Sequence, residues 1–258
     1  MLSLEPSSFD HDRVIEILNG YSLQLKLPFN LETFIEKHVD FRARGISAVF
    51  ACPEDEKLVI NSDLLKLMYQ EVLSESQSKQ DAENGLALRL LLIVVHEREH
   101  LLEHQEQKQD LGFYWPISSL QSEVAGVRSE AQLYGRMIQD PKLRDLLNRT
   151  SPPRNYIIPG ASSSLTEAFD RRISGAYAIL DLKNDERLIE YCKQYYPNAI
   201  DLLNVKRSDL EIQLKAIKKV ELSPHDTENL TKAIQICESV SKFDSLVRWY
   251  RRNDLPRD

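Results

Sequence analysis

One stretch limits what this chain can fold into more than any other: Leu86 to His104, LALRLLLIVVHEREHLLEH. Leu90 to Val95 is an unbroken apolar run, and the stretch holds no proline. It reads as a helix buried on most of its faces. Polarity then changes abruptly at His96-Glu97-Arg98-Glu99-His100, an H-E-x-x-H pattern. Residues four apart share one face of a helix, so His96 and His100 can point at one metal ion, with Glu97 beside them. Two imidazoles and a third ligand suit Zn²⁺, with the fourth position left for water. Glu97 is then placed to take that water's proton as it attacks a carbonyl. The plainer reading is a solvated helix end whose histidines happen to be spaced by four. Arg89, seven residues before His96, shares nearly the same face. A buried arginine needs a carboxylate partner, so its expected role is structural.

Length and charge narrow the classes. A chain of 258 residues is long enough for one large domain or two lobes with a sizeable core. A net charge of −7 argues against general nucleic-acid binding, which needs a basic face. No apolar run reaches the ~18 residues that span a membrane. The N-terminus lacks the basic and apolar regions of a signal peptide, and the sparse cysteines Cys52, Cys192 and Cys237 suggest reduced thiols. A cytoplasmic protein is expected.

Along the chain, Phe9–Leu18 and Leu31–His38 read as short amphipathic helices around Pro28. Ile46–Ala51 and Leu58–Ile60 are strand signals joined by a polar turn, hence a hairpin. One of its strands is a candidate edge for an extended substrate, or the hairpin merely covers the core. The next segment is a helix, capped by Asn61 or Ser62 and running through Leu73. Ser74–Gly85 reads as a surface loop. Gly112–Pro116, rich in aromatic residues, ends the long helix and either packs beneath the site or lines a pocket. Ser118 or Ser119 opens another helix. There Glu123 and Glu130 lie seven apart on one face, with Gly126 between them permitting close approach of a backbone or ligand. From Arg149 a Pro/Gly/Ser-rich connector leads into helices near Thr166–Leu182, Glu186–Tyr195, Ser208–Val220 and Thr227–Tyr250. Ser208 to Glu211 has capping-box form. In this part only Tyr156 and His225 stand out as groups able to stabilise an oxyanion.

The Leu86–His104 stretch resembles the active-site helix of the zincin metallopeptidases. The segment beyond it resembles the gluzincin branch, in which the third zinc ligand is a glutamate on a later helix. The resemblance covers roughly Gly45 to Ile138, and H-E-x-x-H is its one specific motif. It implies an α+β, mostly helical fold: a zincin-like core with a small β-sheet preceding the active-site helix, plus a C-terminal helical lobe. The expected division is 1–148 for the catalytic core and 149–258 for the helical lobe. The resemblance makes His96, His100 and Glu130 the zinc ligands and Glu97 the general base. Glu123 is the runner-up third ligand, or a partner that orients a histidine. His104 is a further option, although three histidines over two turns diverge in direction. The chain departs from the pattern where an aspartate would stand four residues after the ligand glutamate: Tyr134 is there after Glu130, and Val127 after Glu123. The third histidine of the metzincins is also missing.

The expected function is a zinc-dependent hydrolase, a peptidase acting on a peptide or protein substrate, with no nucleic acid or membrane as partner. Two alternatives remain: a non-catalytic zincin-like binding protein, and a di-iron carboxylate oxidase. The second builds on Glu97-x-x-His100, but it needs a second E-x-x-H element, which the sequence lacks.

Overall fold

In the computed structural model the described residues are 10–27, 39–41, 49–52, 57–60, 62–150, 165–182, 185–218 and 224–253. Among them are ten helices: α1 His11–Gln24, α2 Ser62–Glu75, α3 Lys79–Leu111, α4 Leu120–Gln139, α5 Pro141–Arg149, α6 Leu165–Asp181, α7 Asp185–Tyr195, α8 Arg207–Ile217, α9 Pro224–Glu238 and α10 Val240–Asn253. Three short strands, β1 Val39–Phe41, β2 Val49–Cys52 and β3 Lys57–Ile60, form a sheet in the order β1-β3-β2. β1 runs parallel to β3, and β2 antiparallel to it with Val49 opposite Ile60 and Ala51 opposite Leu58. The expected helix 31–38, the 53–56 turn, the 151–164 connector, Tyr156 and the side chain of His225 lie outside the described residues.

The expected α+β fold with a zincin-like core is corrected by this architecture. The molecule is overwhelmingly helical, and strands of three or four residues do not make a layer. The main apolar cluster is helix packed on helix around α3, and the described strand side chains that join it are Leu58 and, partly buried, Ala51. A hairpin signal says that two segments extend. It does not say that they pave one side of a core.

α3 is the axis. It runs 33 residues, longer than the 86–104 stretch alone. Ser78 caps it, accepting from the Asp81 backbone N–H at 3.0 Å, so the expected 74–85 loop is helical from Lys79 onward. Gly112, at φ 75°, ends it in the left-handed conformation that glycine reaches without strain. Leu86, Ala87, Leu88, Leu90 and Leu91 are fully buried. Arg89 is fully buried among them. Its guanidinium donates to both carboxylate oxygens of Asp170 on α6 at 3.2 and 2.9 Å, to the Thr150 hydroxyl at 3.1 Å and to the Gly85 carbonyl at 3.2 Å. The structural role expected for Arg89 is thus met by a partner 81 residues away.

Two further apolar clusters carry the C-terminal half. One joins α4, α6 and α7 through Val127, Ala131, Ala176, Leu188 and Cys192. The other gathers α8, α9 and α10 around Trp115, so the aromatic breaker after α3 is mainly packing. α10 docks on α3 by polar bonds as well. The Tyr250 hydroxyl donates to Glu103 at 2.6 Å and lies 3.1 Å from both Gln107 Nε2 and Ser119 Oγ. The Trp249 indole donates to Asp110 at 2.9 Å. The expected single helix 227–250 is two, broken at Ser239. Ser208 lies inside α8, whose N-cap is Lys206, so the capping box does not form. Among the described residues no helix is long and apolar enough to cross a membrane.

Asp170→Ala strands a buried guanidinium and is expected to lower the free energy of unfolding by about 3 kcal/mol. Adding Arg89→Met should recover most of that loss. Urea denaturation of both variants checks this, and a double variant weaker than the single one counts against the pairing.

Candidate metal centre

α3 and α4 pack side by side and antiparallel. His100 meets Ser122, while His96, one turn earlier, meets Gly126 and Glu130 further along α4. Gly126 makes the contact possible. A Cβ built there would stand 2.7 Å from Cε1 and Nδ1 of the His96 ring, well inside van der Waals contact. The expected close approach at Gly126 is to an imidazole.

The two histidine rings lie edge to face, 4.7 Å between centroids. Their Nε2 atoms face the same oxygen, Glu123 Oε2, at 3.2 Å from His96 and 3.9 Å from His100. Their Nδ1 atoms face α4 elsewhere. His100 Nδ1 is hydrogen-bonded to Ser122 Oγ at 2.5 Å, and His96 Nδ1 lies 3.5 Å from Glu130 Oε2. Glu123 Oε1 accepts from the Ser118 hydroxyl at 2.6 Å, but its Oε2 is buried without a hydrogen bond. Glu130 is engaged differently. Arg172 on α6 approaches both its oxygens at 2.8 Å. The arginine also donates to the Tyr196 hydroxyl at 3.0 Å, and Tyr196 stacks on His96 at 6.0 Å.

Glu97 stands beside the two histidines, and its Oε2 accepts the backbone N–H of Ala51 in β2 at 3.0 Å. One ligand atom each from His96, Glu97 and His100 falls within 4.8 Å of the others, the one such group among the described residues. A cavity of about 400 Å³ opens over these side chains, and Ala51, His104, Ile117 and Tyr196 also border it. His104 reaches the cavity wall with its ring 5.0 Å from that of Tyr114.

The charges are mutually dependent. Burial pushes the Glu97 carboxyl up to about 7, against the pull of His96. Burial draws His96 down, but Glu130 and Glu123 outweigh it and hold the imidazolium up to about 10. Burial and the His96 charge push His100 down to about 4. Burial would raise Glu123, yet the two histidines and Ser118 hold it down to about 2. Glu130 is lowered too: burial is outweighed by His96 and Arg172. The donor set is therefore two imidazoles and a carboxylate already ionised. A divalent cation would take the place of the His96 proton, since ligation needs the neutral ring. The buried, unbonded Glu123 Oε2 between two Nε2 atoms fits such an ion.

The structure thus brings His96, Glu97, His100, Glu123 and Glu130 together. Sequence reasoning missed Arg172, Tyr196, Ser118 and Ser122. Arg172 and Tyr196 carry no local signature. The serines stood in plain view around the start of α4, Ser122 directly before Glu123 and Ser118 just ahead of the helix. Their direction, however, depends on how the helices pack. Compared with known proteins, the chain matches no family profile, no curated protein and no solved structure.

Gly126→Ala would gain about 1 kcal/mol of helix propensity in isolation, but here its methyl displaces the His96 ring. The affinity for a divalent cation offered to this site, zinc as the probe, is expected to fall by roughly tenfold or more, as measured by chelator competition, with the far-UV circular dichroism unchanged.

Proposed function

We propose that this chain is a zinc-dependent hydrolase that cleaves peptide bonds, with His96, His100 and Glu123 as ligands and Glu97 as general base. The single observation that carries the reading is the convergence of both Nε2 atoms on Glu123 Oε2, with Glu97 one residue from His96 at the cavity wall. Glu123 is preferred to Glu130, because the Glu130 oxygens are already held by Arg172. The H-E-x-x-H helix resembles that of the zincin metallopeptidases, here set in a helical scaffold.

Zn²⁺ held by these residues would polarise a carbonyl and bring the pKa of water toward ~7. The protein's own groups do the rest. Glu97 takes the proton of the attacking water and returns it to the departing amine. Its ordinary acidity would be too strong for that exchange, and burial moves its carboxyl toward neutrality. Burial holds the Tyr196 phenol protonated against the pull of Arg172, and since its oxygen accepts from Arg172 its own O–H is left to donate. It borders the cavity, where that proton can stabilise charge on a carbonyl oxygen. A peptide is the favoured substrate because β2, the outer strand of the sheet among the described residues, reaches the cavity through Ala51, whose own N–H is held by Glu97. Such an edge offers main-chain hydrogen bonds to an extended chain. The acidic surroundings disfavour nucleic acid. A reducing, cytoplasmic setting fits the buried free thiols of Cys192 and Cys237.

Glu97→Gln is expected to keep stoichiometric zinc and to lose cleavage of a proteome-derived peptide library by about 10²–10⁴-fold. Glu123→Ala is expected to lose both. Elemental analysis beside mass-spectrometric cleavage maps reads the two outcomes. Wild-type turnover in Glu97→Gln, or full zinc in Glu123→Ala, overturns the assignment.

A further inference from the structure

Glu130 and Arg172 are the most deeply buried charges at the centre that the proposed hydrolysis does not use. The Glu130 side chain is 1% exposed and that of Arg172 13%. They sit on different helices, α4 and α6, and meet through two contacts of 2.8 Å, a fork-to-carboxylate geometry that fixes orientation as well as charge. The fork is itself held. One nitrogen donates to Tyr196, and the arginine's own carbonyl accepts the Tyr191 hydroxyl. The carboxylate has one face left, and Oε2 looks at His96 Nδ1 across 3.5 Å. Both of those atoms are buried; His96 Nδ1 has no hydrogen bond, and Glu130 Oε2 has besides it only the ion-pair contact with Arg172.

We propose that Glu130 and Arg172 are a positioning pair for His96: Glu130 holds the Nδ1 side of the ring so that Nε2 faces the metal, and Arg172 keeps Glu130 from becoming a ligand. This inference rests on the metal reading above and assigns the site its orienting carboxylate. A ligand histidine ordinarily presents one nitrogen to the metal and the other to such a partner. His100 has its partner in Ser122. Glu130 fills the same office for His96, and does so from two turns beyond Glu123 on the same helix face. Arg172 sets the division of labour. With the guanidinium forked onto both oxygens, Glu130 has no lone pair directed at the Nε2 side. Without it, a second carboxylate is released within reach of a cation.

The test compares Glu130→Ala, Arg172→Met and Arg172→Lys with Glu123→Ala in the full chain. Cobalt and zinc affinities come from chelator competition, and the donor set from the Co²⁺ visible spectrum and X-ray absorption. Glu130→Ala is expected to keep one metal per chain with the carboxylate donor intact, at roughly 10–100-fold lower affinity. Arg172→Met is expected to change the Co²⁺ spectrum as Glu130 enters the coordination sphere, and Arg172→Lys to restore it in part. Loss of all binding in Glu130→Ala makes Glu130 a ligand and overturns the proposal, as does an affinity within twofold of wild type. A second readout needs no metal: the ¹⁵N resonances of the His96 ring in the metal-free protein. They are expected to shift in Glu130→Ala and Arg172→Lys by more than those of His100, whose Nδ1 is held by Ser122 instead. If the wild type binds no metal, the hydrolase reading fails, and these resonances still decide whether the pair holds His96. Should Arg172→Met fail to fold, Arg172→Lys carries both measurements.

Discussion

The contact between α3 and α4 is the constraint on which the rest of the molecule depends. It sets an imidazole against a helix backbone, at a spacing that only the absent side chain of Gly126 allows. Once the helices are that close, three carboxylates converge on two histidines at a largely buried place. Charges taken out of water are costly unless they are matched. Here the matching is distributed: a proton on His96, the guanidinium of Arg172, hydroxyls from Ser118 and Ser122, and one backbone N–H from β2. A divalent cation bound there would take the place of that proton, because ligation needs the neutral ring.

The half of the chain without a motif completes that balance. α6 contributes Arg172, the turn after α7 contributes Tyr196, and α10 anchors the segment between α3 and α4 through Tyr250, Glu103 and Ser119. Ser119 is also the N-cap of α4, accepting from the Ser122 N–H at 3.1 Å. The C-terminal helices therefore reach the site along two routes. One is electrostatic, through Arg172. The other is mechanical, through the residue that starts the helix bearing Glu123.

The range of each interaction decides whether it is legible in the sequence. The pairing of His96 with His100 is local, a property of four residues on any helix, and it could be read. So could Gly126, because a glycine between two same-face glutamates has few other uses. Which of Glu123 and Glu130 faces both Nε2 atoms could not. Both lie on the right face, and what separates them is how far α4 slides along α3, which depends on packing over the whole interface. Arg89 announced the need for a partner, yet nothing in the sequence singled out Asp170. The fold class misled for a related reason. The two strand signals are met by β2 and β3, but whether strands form a layer or a fringe depends on how much helix surface competes for the same core. With α3 apolar on most faces, helices cover it and the sheet is left at the margin.

α6 follows the change of composition and yet packs on helices that precede it. A connector rich in proline and serine precedes it, and the change of character at residue 149 is visible in the sequence. Yet Asp170 and Arg172, two residues apart on α6, carry opposite charges to opposite needs: Asp170 to the buried guanidinium on α3, Arg172 to the buried carboxylate on α4. Residues two apart on a helix point to nearly opposite sides, so α6 must lie between its two clients in a single orientation to serve both. Reversing that orientation would place like charge against like at both contacts. The docking of α6 is thus specified by charge sign as well as by its apolar face, and the same docking that stabilises α3 finishes the surroundings of His96.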